Sequence, residues 1–195
     1  LPVPMNIIEI RNVGPTLGQV SISRIFRAGL IGVILILAFI GIYYKLPGLL
    51  ANVALLIYIV LVLGILSAID AVLTLPGIAG IILSVGMAVD ANVLIFERIK
   101  EEVADGKRLR SAIEAGFNRA FTTILDSNIT TLISAAVLFF VGTGGVRGFA
   151  VTLGVGILAS MFTAVFVTRL FLDLVVDRRP DTMAKHFSMG RFKRS

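Results

Sequence analysis

The stretch GMAVDANVLIFERIKEE (86–102) sets one carboxylate, Asp90, in an uncharged run and opens a charged cluster seven residues later, at Glu97. Small and apolar residues flank the acid on both sides, so the segment reads as a membrane helix leaving the bilayer. The rest of the chain repeats the pattern. Uncharged runs cover 28–44, 46–69, 71–89, 127–146 and 148–168. A helix needs about 20 apolar residues to cross the hydrocarbon core. A membrane β-barrel would instead show alternating segments of about ten residues, and no such alternation is present. The sequence therefore predicts an all-α membrane protein, a bundle of five transmembrane helices. The spans fall near 22–44, 47–69, 76–97, 118–141 and 147–172, within a transmembrane domain at 22–177. Composition agrees: 57% of the 195 residues are hydrophobic and 15% are charged, against about 25% charged in soluble domains.

The punctuation between spans is local. Pro47 starts the second span and LPGIAG (75–80) opens the third, with proline in a first helical turn. Asp105 and Gly106 break the third helix on its far side. Lys107–Arg119 is amphipathic, with Leu109, Ile113 and Phe117 on one face, as a surface helix or an extension of span four would be. The link VGTGGVRG (141–148) follows a helix and lacks the Gly-Lys-Ser/Thr ending of a phosphate loop, so it reads as a tight turn. Residues 1–21 differ from the rest. NIIEIRNVGPTLGQ (6–19) has the β-branched content of a last strand, the remnant of an external α+β domain. The opening LPVP has neither an initiator Met nor a signal peptide, as expected of part of a longer polypeptide.

Charge gives an orientation. Lys45, the six Lys and Arg of the 98–119 region and the seven from Arg169 to Arg194 lie on one side, fourteen of the eighteen. Arg11, Arg24, Arg27 and Arg147 lie on the other. The positive-inside rule makes the richer side cytoplasmic, with the basic tail 178–195 as a topology anchor on anionic lipid and no nucleic-acid role. The reading is a multi-pass membrane protein with a cytoplasmic C-terminus. The chain has no cysteine and one histidine, His186, so neither a disulfide framework nor a zinc site is expected. No metal or cofactor is expected, and no nucleophile–base pair suggests covalent chemistry, so the chain does not read as an enzyme.

Asp90 lies seven residues inside the boundary at Glu97, and Asp126 seven inside the boundary at Arg119. Spans three and four run in opposite directions, so both carboxylates sit about 10 Å below the same membrane edge. Arg119, Thr122, Thr123, Asp126, Thr130 and Ser134 share one helical face. A charge at bilayer depth costs at least about 2.5–3.5 kcal/mol on insertion scales, so this stripe should face protein or water. Two readings stay open on the residues alone: acids that bind and release a proton, or protonated acids that hydrogen-bond neighbouring helices. Asn92 and Asn128 are expected as interhelical hydrogen-bonders. Gly77, Gly80 and Gly86 offer smooth surfaces for close approach. Glu97 and Arg98 mark the cytoplasmic boundary, and Arg98 stands four residues before Glu102, in ion-pair register.

Several long stretches resemble the SecD/SecF family of the bacterial protein-export machinery, a branch of the RND superfamily. They are VGPTLG (13–18), LTLPGIAGIILSVGMAVDANVLIFERIKEE (73–102), AIEAGF (112–117) and SNITTLISAAVLFFVGTGGVRGFAVTLGVGILASMFTA (127–164). Leu-Ile-Phe-Glu-Arg-Ile (94–99) and Thr123 favour the SecD branch over the SecF branch. The resemblance implies six spans with a large external domain after the first, the five spans here being the second to sixth. It implies a subunit of the bacterial cytoplasmic (inner) membrane that works with SecF and the SecYEG translocon, and with YajC, using the proton-motive force to complete preprotein export. The preprotein would be gripped by the external domain. Asp90 matches the family's intramembrane acid, implicated in proton transport. Asp126 joins it as an expected relay group, with Thr122, Thr123, Thr130, Asn92 and Asn128 as polar support and protons as the coupling ion. The alternatives are a proton-driven RND exporter of small molecules or lipids, and a translocon scaffold that transduces nothing.

Overall fold

Each of the five apolar runs becomes a helix long enough to cross a membrane. The computed structural model describes residues 15–178. The helices are α1 (Pro15–Tyr44), α2 (Leu46–Ala68), α3 (Leu75–Ala104), α4 (Leu109–Val141), α5 (Gly145–Phe162) and α6 (Thr168–Arg178). A π-helical turn at Thr163–Val167 joins the last two, so they form one span. The described residues are helices and short connections, and the chain is a multi-pass membrane protein with an all-α bundle.

One boundary differs from expectation. α1 starts at Pro15, so residues 15–21 belong to a helix and not to an external strand. Proline's fixed φ suits a first helical turn, where its missing N–H costs nothing. Residues 1–14 and 179–195 lie outside the described residues, and with them the rest of the expected external remnant, most of the basic tail and His186. Of the two readings of Lys107–Arg119, the extension of span four holds: residues 109–119 are the first third of α4, which runs unbroken for 33 residues.

The connections follow the residues that make them. Lys45 alone separates α1 from α2, at φ 53°. Asp70 ends α2 in the left-handed region (φ 49°), which Asp tolerates better than most residues. Gly106 (φ 89°) closes α3: its N–H donates to the Val103 carbonyl, and the Lys107 N–H to that of Glu102. Thr74 caps the start of α3 by accepting from the Gly77 N–H. Gly144 (φ 50°) forms the tight turn before α5.

α3 is the hub. It packs on α5 and α4 most extensively, and on α1 and α2 as well. α3 and α5 run parallel along a seam of small residues. Gly80 faces Thr152, and Gly156 faces Ser84. Without side chains between them, the two backbones approach closely, which is how helices associate in lipid, where apolar burial gives no drive. Gly77 and Gly80 belong to this seam. Gly86 does not: nothing stands near where its side chain would be. The seam's hydrophobic flanks are Leu55, Tyr58, Val62, Val85 and Ala88 on one side and Ala135, Leu153 and Ile157 on the other. At the charged end the core is built from Ile95, Phe96, Ile99, Ile113 and Phe117.

Candidate proton site in the membrane

The site is built from α3 and α4, which cross near the charged end. There Gly116 lies directly against the Ile99 backbone: a side chain at 116 would stand 2.9 Å from the Ile99 Cα. From that crossing, nine residues back along α3 reach Asp90 and nine forward along α4 reach Leu125. Antiparallel helices rising about 1.5 Å per residue therefore bring Asp90 and Asp126 to one depth.

Both carboxylates stand on the surface of the bundle. Neither has a hydrogen bond or ion pair among the described residues. On α4, Arg119, Thr122, Thr123, Asp126, Thr130 and Ser134 are all exposed, so the stripe is real and looks outward. Two of its four hydroxyls are tied to their own helix. Thr130 Oγ1 donates to the Asp126 carbonyl (2.9 Å) and Ser134 Oγ to the Thr130 carbonyl (3.1 Å). This back-bonding consumes the hydroxyl protons and leaves oxygen lone pairs facing out. The outward face of α4 at this depth therefore presents the Asp126 carboxylate and back-bonded oxygens as acceptors, while the exposed Thr122 and Thr123 hydroxyls can still donate.

The asparagines behave differently. Asn92 is buried and its Oδ1 accepts from Thr168 Oγ1 of α6 at 2.8 Å, the interhelical bond expected of it. Asn128 is buried on the inner side of α4, with no hydrogen bond across helices among the described residues. Glu97 is gripped from two sides at the boundary. Tyr44 Oη donates to it at 2.8 Å and Lys100 Nζ at 2.8 Å. Lys100 also lies over the Tyr44 ring, 4.3 Å from its centroid. A knot of this kind ties the end of α1 to α3.

Arg98 does not pair with Glu102. It bonds Glu101, three residues on, at 2.7 Å. Glu102 is instead buried beyond the apolar part of α3, between Lys107 of the following loop and Arg119 of α4, the latter at 2.7 Å. The hydrogen bond from Lys107, reinforced by the Arg119 charge, holds the Glu102 carboxyl below the ordinary carboxylate range despite its burial. This staple fixes the α3–α4 crossing. Sequence reasoning set Glu102 in register with Arg98, because its partner on α4, Arg119, is seventeen residues away on another helix.

Two further polar contacts, one buried and one half-buried, lack a sequence signal. Tyr58 Oη donates to Ser84 Oγ (2.7 Å), which donates to the Ile81 carbonyl (2.8 Å). Asn52 Nδ2 donates to the Leu37 carbonyl (3.0 Å). Among the described residues no group of three or more His, Cys, Asp or Glu gathers to hold a metal ion.

Comparison with known proteins fits this geometry. Residues 3–178 match the family described as protein export membrane protein SecD/SecF, C-terminal. The chain is 57% identical over 176 residues to the protein translocase subunit SecD of Acidaminococcus fermentans, covering 90% of this chain and 42% of the relative. It is 54% identical over 176 residues to the Synechocystis SecD, covering 90% and 37% respectively. The crystal structure of SecDF, a translocon-associated membrane protein from Thermus thermophilus, superimposes with a TM-score of 0.83 at 49% identity. That match covers 86% of this chain and 23% of the other. The chain thus spans less than half the length of these relatives.

Proposed function

We propose that this chain, which belongs to the SecD/SecF protein-export membrane family, is the membrane part of a SecD-like subunit that uses the proton-motive force to promote preprotein export across the bacterial cytoplasmic membrane. One observation carries the reading: Asp90 presents an unpaired carboxylate from a membrane helix, level with Asp126 on an outward polar stripe. Leaving two acids and several hydroxyl oxygens against lipid is costly. The face is therefore covered in the assembled complex, and SecF is the partner that the family provides. SecYEG and YajC complete the machinery, and the preprotein is held by an external domain.

In this mechanism Asp90 takes up a proton from the outer side and releases it to the cytoplasm, where the Lys- and Arg-rich ends of the chain lie. Asp126, with Thr122, Thr123 and Thr130, lines the path with polar groups. One charge moving through the field releases about 2.3 kcal/mol per 100 mV. That energy shifts the balance between two packings of α3 against its neighbours, and the external domain turns the shift into movement. The chemistry is proton transfer without a covalent intermediate, with the proton as coupling ion and no other cofactor.

The test is Asp90→Asn in the full-length protein, with its partners present. Assembly should be intact and the proton-driven part of preprotein export lost. Export at the normal rate would overturn the proton role and leave Asp90 as structural. Loss of small-molecule efflux with export intact would make the chain an exporter instead.

A further inference from the structure

The π-turn at Thr163–Val167 interrupts the span beside the most sensitive part of α3. Before it, the helices keep one register: Gly80 faces Thr152 and Ser84 faces Gly156, each pair 72 residues apart. After it, Asn92 meets Thr168, 76 residues away. The turn is closed by the Thr168 N–H reaching back five residues to the Thr163 carbonyl. Such a turn holds one residue more than an α-helical turn. Each residue advances a helix by about 100°, so in an unbroken α-helix the place of Thr168 would fall to Val167. The π-turn thus puts a hydroxyl, and not a valine, opposite Asn92.

Both partners are sealed in the core, Thr168 at 0% and Asn92 at 4% exposure. Thr163 and Ser160 beside them are buried too, and each is spent on carbonyls of its own helix. The Thr168–Asn92 bond is therefore the polar link between α3 and the final span at this level. Asn92 is two residues from Asp90, about 200° around the helix. The link grips α3 on the side opposite the acid. A helix held at that point cannot turn about its axis without stranding two polar groups in an apolar core.

We propose that Thr168 is a positioning residue for Asp90: its hydrogen bond to Asn92, delivered by the π-turn, sets the rotation of α3 that presents the Asp90 carboxylate. This rests on the proton reading of Asp90. It assigns the final span, which contributes no acid to the site, the task of aiming one.

The test compares Thr168→Val, which keeps the shape and removes the hydroxyl, with Thr168→Ser, which keeps the hydroxyl and removes a methyl. The readout is the rate at which dicyclohexylcarbodiimide modifies Asp90, followed by peptide mass in the full-length protein with its partners in membranes. Thr168→Val should change that rate about threefold, the population change an average hydrogen bond between membrane helices supports. Thr168→Ser should stay at the wild-type rate. Wild-type modification in Thr168→Val overturns the inference, and so does an equal change in both variants, which would make the site one of packing alone. The outcome is separable from the proton reading itself, which stands or falls on export by Asp90→Asn.

Discussion

Replacing Gly156 with Ala tests whether the α3–α5 seam is as tight as its geometry says. A methyl at 156 would stand 2.3 Å from Ser84 Oγ, 2.4 Å from Ser84 Cβ and 3.1 Å from Tyr58 Oη. Ordinary contact begins near 3.4 Å, so about 1 Å of separation must be found. Rotating the Ser84 hydroxyl does not supply it, because the Cβ is equally close. The helices must part, which loosens the seam and stretches the Tyr58–Ser84 hydrogen bond of 2.7 Å. Overpacking of this kind costs about 1–3 kcal/mol. A value of about 2 kcal/mol lowers the unfolding midpoint by about 4–8 °C for a chain of this size. The assay is thermal unfolding of the purified protein in detergent, run as a cycle with Ser84→Gly. The double variant moves the space from one helix to the other, so its cost should fall below the sum of the single costs by at least about 1 kcal/mol. Wild-type stability for Gly156→Ala, or strict additivity in the cycle, would refute the argument.

Glu102→Gln should loosen the α3–α4 junction and speed proteolysis within Asp105–Arg110. It should also change the response to pH. The folded carboxyl is held below its ordinary range, so its stabilisation is present at neutral pH and fades as pH falls through the depressed folded value. The wild type should lose stability over that acid range, whereas the Gln variant should lose less, as measured by unfolding midpoints from pH 7 to pH 3. Tyr44→Phe removes one of the two donors on Glu97 and should cost about 1 kcal/mol in the same unfolding assay. Lys100 keeps Glu97 in place there, so Tyr44→Phe together with Lys100→Met should cost more than either alone.

Much of this architecture was legible in the chain. Charges delimit every span, and the matched depth of Asp90 and Asp126 follows from counting residues to two boundaries on antiparallel helices. The polar stripe on α4 is a helical period. What escaped depends on which helix stands opposite. Thr-Ala-Val-Phe-Val at 163–167 has the composition of any apolar helix, and nothing in it marks an extra residue in the turn. Gly86 and Gly156 look equally suited to close packing, yet only Gly156 has neighbouring helices, through Ser84 and Tyr58, against it. Arg98 and Glu102 have the spacing of an ion pair, but Arg119 arrives from α4 and takes the carboxylate.

The one-residue turn at Lys45 bears on how the protein enters the bilayer during synthesis. The helical ladder runs up to it, with the Lys45 N–H on the Gly41 carbonyl, and resumes from it, with the Leu49 N–H on the Lys45 carbonyl. A side chain at Gly48 would stand 2.2 Å from the Ile40 carbonyl oxygen, so the two helices touch from the start. No loop exists that could be threaded or held back while α2 waits for α1. The pair must partition from the insertion machinery as one hairpin, and Lys45 is the only charged residue between Arg27 and Asp70. That ammonium stands on the side that carries fourteen of the eighteen Lys and Arg, so it favours for the α1–α2 pair the same direction that the larger count gives the whole bundle.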